Sequence, residues 1–179
     1  MVHAHFIQAD AEKFSIYKTI ESKVKVPIAY RTRQCDMLSV PESTSFTWRL
    51  SVKTAPEIPR FIIVGFQTAK DGDQTKNPST FDHVNLRNVY VMLNPDRYPV
   101  VEYNLSFSKE KFSRVYGVYT LFAFDVSKQK EKLKSSVVDI QIKANFTENV
   151  PANTRAFALV ISDQMLLFQS DGNKMSVTY

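Results

Sequence analysis

Between Ser45 and Lys53 the chain reads SFTWRLSVK, and no other feature narrows its folding options as much. Phe46, Trp48, Leu50 and Val52 alternate with Thr47, Arg49, Ser51 and Lys53, the two-residue period of a strand with one face in a core and the other in water. VVDIQIKANF, from Val137, repeats the device: Val138, Ile140, Ile142, Ala144 and Phe146 face one way, and Asp139, Gln141, Lys143 and Asn145 the other. Two half-apolar faces of this kind need a second layer to cover them.

Other runs are apolar on both faces and suit interior strands: FIIVGF from Phe61, VYTLFAFDV from Val118 and AFALVI from Ala156. VKVPIAYRTRQC, from Val24, carries Pro27 and belongs at an edge. VNLRNVYVMLN from Val84 and VVEYNLSF from Val100 are further strands, and MLLFQSDGNKMSVTY predicts a last hairpin about Asp171 and Gly172. Helical spacing is confined to ADAEKFSIY near Ala9 and to KEKFSRVY, capped by Ser108. With only four glycines, no internal repeat and little helix for parallel crossovers, the expected fold is all-β. It is an antiparallel β-sandwich, a single jelly roll of about eight strands with one or two short helices, occupying residues 1–179 as one domain.

The core is affordable without staples: thirteen Phe, eight Tyr and one Trp lie in 179 residues, a length that buries on the order of 70% of the unfolded surface. Cys35 is the single cysteine, which excludes an internal disulfide and predicts a small buried hydrophobe. No stretch approaches the ~20 apolar residues of a membrane span, and the opening MVHAHFIQADAEKF lacks the pattern of a signal peptide. A protein made inside the cell, with no membrane partner, is expected.

The net charge of +5 raises nucleic acid as a partner. Its clusters are SKQKEKLKSS, with Lys128, Lys130, Lys132 and Lys134, and YRTRQ, with Arg31 and Arg33. Neither interleaves aromatic residues for base stacking or forms a long basic helix, so both read as solvated faces and no specific nucleic-acid partner is expected.

Catalytic patterns are equally thin. His3 and His5 share one side of an extended segment, as a metal site needs, but the only other histidine is His83 and no glycine-framed ligand pattern surrounds them. Ser79, Asp82 and His83 are close in sequence without a glycine elbow to present the serine. No glycine loop cradles phosphate. No catalytic residue, metal or cofactor is expected. Between Phe61 and Pro99 a polar bridge carrying Asp71, Asp73 and Asp82 reads as a loop, and NPDRYP reads as a rigid corner between two strands. Asn94 and Asp96 bond nearby backbone there, and Arg97 and Tyr98 are held outward or against a neighbour. Asn94, Arg97 and Tyr98 are therefore the candidate residues for a structural corner or an assembly contact.

Three stretches carry a resemblance: PRFIIVGFQTAKDGDQTKNPSTFDHVNLRNVYVMLNPDRYPVVEYNLSF, LFAFDVSKQKEKLKSSVVDIQIKANF and ALVISDQMLLFQSDGNKMSV. Together they resemble the C-terminal jelly roll of double jelly-roll major capsid proteins, in particular those of Maverick/Polinton-type elements, over nearly the whole chain. The resemblance implies a non-enzymatic shell protein in which two jelly rolls stand side by side and three chains form a pseudo-hexagonal capsomer. This chain has room for one roll, and SRVYGVYTLFAF is shorter than the corresponding excursion in relatives. The expected partners are other copies of itself, as a trimer or larger assembly, or a sibling jelly roll. The expected location is a virion or capsid-like particle. A jelly-roll module binding a carbohydrate or protein ligand is the alternative.

Overall fold

The computed structural model describes residues 11–15, 17–18, 21–51, 58–107, 120–128, 139–170 and 175–178. Nine strands follow in order: β1 (Val26–Ser39), β2 (Ser45–Arg49), β3 (Ile58–Thr68), β4 (Leu86–Leu93), β5 (Asp96–Tyr98), β6 (Phe122–Asp125), β7 (Ile140–Phe146), β8 (Thr154–Ser170) and β9 (Met175–Thr178). One sheet has the order β1-β8-β3-β6, with β9 added to β8; the other has the order β2-β7-β4-β5. The first eight strands thus pair first with last, second with seventh, third with sixth and fourth with fifth. A long antiparallel ribbon rolled upon itself gives this arrangement, and it is the jelly roll expected from the alternation.

The described residues fall into two compact units. One is Thr32–Ser162, and the other combines the described parts of Met1–Arg31 and Asp163–Tyr179. All the buried hydrophobic side chains described belong to the first. Its core is built by parity. Phe46, Trp48 and Leu50 turn inward from β2 and its end, Ile140, Ile142, Ala144 and Phe146 from β7, and Ile62, Val64 and Phe66 from β3. Phe46 stacks on Phe146 within one sheet, with ring centroids 6.0 Å apart. Phe66 of the other sheet meets both rings edge-on at 6.2 and 5.7 Å, which ties the layers together.

In the second unit, Tyr30 donates its hydroxyl to Gln164 Oε1, and Arg31 pairs with Asp163 at 3.4 Å. β9 pairs with β8 from Leu167↔Thr178 to Ser170↔Met175. The expected last hairpin is therefore present, with residues 171–174 outside the description. Helical backbone occurs at residues 11–15 and 17–18, where the Lys18 ammonium lies 5.2 Å from the Phe14 ring centre. The second expected helix, after Ser108, falls outside the described residues. No helix among those described is long and apolar enough to cross a membrane.

Three readings of the sequence need correction. Residues 100–107 contain no strand beyond a single bridge at Ser106, and the fifth strand is instead Asp96–Tyr98, inside NPDRYP. The reason is local: Asn104 has φ 46°, and its N–H is taken by the Asn88 side chain at 2.9 Å, so the segment cannot extend a ladder. β6 ends its sheet and is not interior. Cys35 is exposed, because β1 is the terminal strand and Cys35 lies on the opposite parity from Leu38 and Val40, which pack inward.

Candidate assembly surface

The polar bridge after β3 is a tied loop in which the acids expected to tempt a catalytic reading have structural partners. Asp82 accepts the Thr68 N–H at 2.8 Å and pairs with Lys70 Nζ at 3.0 Å. Lys70, its side chain only 9% exposed, also donates to the Thr80 carbonyl at 2.6 Å and hydroxyl at 3.0 Å. Asp73 accepts from the Thr75 N–H and hydroxyl, and Asp71 pairs with Arg155 at 2.5 Å. The Thr75 hydroxyl, then the Thr75 N–H, and more weakly Lys76, hold the Asp73 carboxyl below its ordinary pKa.

Ser79, Asp82 and His83 do not converge. The Ser79 N–H goes to Asn77 Oδ1, while His83 Nδ1 accepts the Asn85 N–H at 3.0 Å and its ring stacks on Phe107 at 4.4 Å. His3 and His5 lie outside the described residues, as does the lysine run beyond Lys128. Among the described residues no three His, Cys, Asp or Glu side chains are grouped to hold a metal ion.

The NPDRYP corner is tighter than the sequence suggested. Leu93↔Asp96 closes a two-residue hairpin of Asn94 and Pro95. Asn94 takes φ 52°, a conformation that Asn tolerates better than most residues, and proline holds its own φ near −65°. Asn94 N–H donates to the Asp139 carbonyl and Asn94 Oδ1 accepts the Asp139 N–H, both at 3.0 Å, which anchors the hairpin to the start of β7. Arg97 lies over the Tyr90 ring at 4.0 Å and reaches Glu102 at 3.5 Å, and Glu102 in turn accepts from Asn88. Tyr98 points to the core side, where burial first and Asp96 second raise its phenol pKa. Asn94, Arg97 and Tyr98 each have partners within the domain, and the exposed large hydrophobic side chains nearby are Val100 and Val101, at 84% and 65%.

The two outer faces of the sandwich differ in kind. The β2-β7-β4-β5 sheet presents mostly polar side chains, Thr47, Arg49, Lys143, Asn145 and Arg87, with Tyr90 and Met92 among them on β4 and Arg49 paired to Asp139 at 3.0 Å. The β1-β8-β3-β6 sheet presents a second apolar layer on the parity opposite its core: Phe61 and Ile63 from β3, Phe157, Leu159 and Ile161 from β8, and Met37 from β1, which is 50% exposed. At its centre Gly65 is a seat. A Cβ there would lie 2.5 Å from Phe81 Cδ1 and 2.8 Å from Leu121 Cδ2, so the Phe81 ring from the tied loop rests on bare backbone. Phe81 then meets Phe157 edge-on at 6.3 Å. Sequence reasoning recognised FIIVGF and AFALVI as apolar on both faces, which was the available signal, and the single roll implied an uncovered sheet surface, but which residues form it was not legible.

Among the described residues the cavity lined by Ala69, Asp71, Asn153 and Arg155 holds the Asp71–Arg155 ion pair, and the outer face of the β1-β8-β3-β6 sheet is the larger apolar feature, the geometry of a packing element. A family model of the double jelly roll-like domain matches residues 2–124 and 120–166. No curated protein matches the chain. Strand order and family match agree, and the chain belongs to the double jelly roll-like domain family, a jelly-roll fold of capsid type.

Proposed function

We propose that the chain is a non-enzymatic structural module of capsid type that associates with copies of itself, or with a sibling jelly roll, through the outer face of the β1-β8-β3-β6 sheet. The observation that carries this reading is the second apolar layer of Phe61, Ile63, Phe157, Leu159 and Ile161 on a sandwich whose other outer face is mostly polar, with Tyr90 and Met92 as its apolar members. Half-buried aromatic and branched side chains gathered on one flat face are what a partner layer covers, since patches of a few hundred Å² on soluble proteins commonly mark such contacts. A closed shell needs a further, rotational contact. The loop tip at Val100 and Val101, beside the Asn94, Arg97 and Tyr98 corner, is the candidate for it.

Family membership supports the capsid-type role. The finer reading is the C-terminal roll of a Maverick/Polinton-type major capsid protein, working in a virion or capsid-like particle. Size-exclusion chromatography with light scattering over a concentration series, with negative-stain imaging of the same fractions, tests the proposal. Dimers, trimers or larger regular particles are expected, and a strict monomer at the highest concentration counts against it.

A further inference from the structure

The outer face of the β1-β8-β3-β6 sheet carries a charge pattern that selects its occupant. The β1 and β8 register follows from the Val40 N–H donating to the Thr154 carbonyl at 2.9 Å and from Arg31 meeting Asp163. That of β3 and β8 follows from the Ala69 N–H on the Asn153 carbonyl at 3.0 Å and the Thr68 and Thr154 hydroxyls at 3.0 Å. β3 and β6 pair Phe61 with Asp125. Carried along the strands, these registers align one row straight across the face: Arg33, Ile161, Phe61, Asp125. The row has a cation at one edge, an anion at the other and apolar side chains between. Arg33 and Asp125 are both exposed; the Arg33 side chain has no hydrogen-bond or ion-pair partner among the described residues, whereas Asp125 has Arg60 and Lys128 near enough to act on it.

We infer that the occupant of this face is a second copy of the chain, turned about a two-fold axis parallel to the strands, with Arg33 of each copy set against Asp125 of the other. This inference rests on the reading that the chain self-associates through this face. A two-fold along the strands keeps every row level and exchanges its ends, so the cationic edge of each copy meets the anionic edge of the other, twice. The apolar middle of the row, and the neighbouring Leu159 and Ile63, stack between them. The same axis keeps strand directions aligned across the contact, the common geometry of one sheet packed on another. A two-fold perpendicular to the strands would instead carry Arg33 toward the Ser39 end of the partner face, away from Asp125.

Sedimentation velocity on the full chain tests this with Arg33→Asp, Asp125→Arg and their equimolar mixture. Each variant alone sets like charges together at two places and is expected to weaken dimerisation by at least about tenfold. The mixture contains complementary edges, so a one-to-one dimer of wild-type affinity returns. Asp125 also accepts the Ser127 N–H at 2.9 Å. Asp125→Asn, which keeps that acceptor, therefore serves as the second variant, with a weakening of about threefold and a reduced salt dependence expected. If the wild type dimerises and the variants and their mixture behave identically to it, the two-fold contact is wrong while self-association stands. If the wild type stays monomeric throughout, the underlying reading fails with it.

Discussion

Gly65→Ala isolates the contact that organises the outer face. An added methyl would stand 2.5 Å from Phe81 Cδ1 and 2.8 Å from Leu121 Cδ2, well inside contact distance. Alanine in a strand recovers about 0.5–1 kcal/mol of backbone entropy relative to glycine. Displacing a packed ring costs about 1–3 kcal/mol. The net expectation is a loss of roughly 1–2 kcal/mol, or about 2–8 °C in Tm for a chain of this size. In a Phe81→Ala background the ring is gone and the Leu121 methyl, the end of a flexible side chain, can swing aside, so the same substitution should be close to neutral. The two substitutions are thus coupled by about 1 kcal/mol or more. Urea unfolding followed through Trp48, the single tryptophan and only 4% exposed, measures this at concentrations low enough to keep association out of the balance. Equal cost of Gly65→Ala with and without Phe81, or no cost at all, would refute the claim that the ring sits on this glycine.

Further expectations concern the loop, the corner and acid. Lys70→Met should destabilise by about 1–3 kcal/mol, because Asp82 and the Thr80 carbonyl lose a largely buried donor, and limited proteolysis should then cut between residues 70 and 80 first. Asn94→Gly keeps the positive φ and loses the Asp139 bond, at about 1 kcal/mol, whereas Asn94→Ala loses both and costs about 2 kcal/mol in chemical denaturation. Asp73 and Asp125 both have folded pKa values below their ordinary ones, held down first by the Thr75 and Ser127 hydroxyls respectively. Their contribution is therefore present above the unfolded pKa, near 4, and is lost as pH falls through the lower folded value. Stability measured from pH 6 to 2 should decline in that window, and the decline should be shallower for Asp73→Asn.

What the sequence disclosed followed from how strictly side chains obeyed parity. β2 and β7 were legible because Trp48 and Ile142 sit opposite each other, with Thr47 and Lys143 on the far side, and nothing interrupts the period. Pro27 correctly put β1 at an edge, since a strand paired on one side tolerates a missing N–H. Residues 100–107 misled because an extended loop alternates too. Leu105 is buried and Tyr103 and Phe107 pack on the core, yet only isolated backbone bonds such as Leu105 N–H to the Arg87 carbonyl hold the segment. β5 escaped notice because three residues are too few to show a period, and its identity depends on the Asn94 turn. Cys35 was misjudged, and the residues of the outward apolar layer were not located, for one reason. Hydrophobicity reports that a side chain will be covered, and it does not report whether the cover comes from the same chain.

The first-with-last strand pairing also sets a timetable for synthesis. β1 emerges from the ribosome more than a hundred residues before β8, its only neighbour in the sheet order, so its backbone donors and acceptors must wait for most of the chain to be translated. Contacts this distant in sequence fold slowly and leave apolar strands open to aggregation meanwhile. Nascent chains therefore carry an unpaired β1 until residues 154–170 appear, and yield on expression should respond to translation speed through that segment.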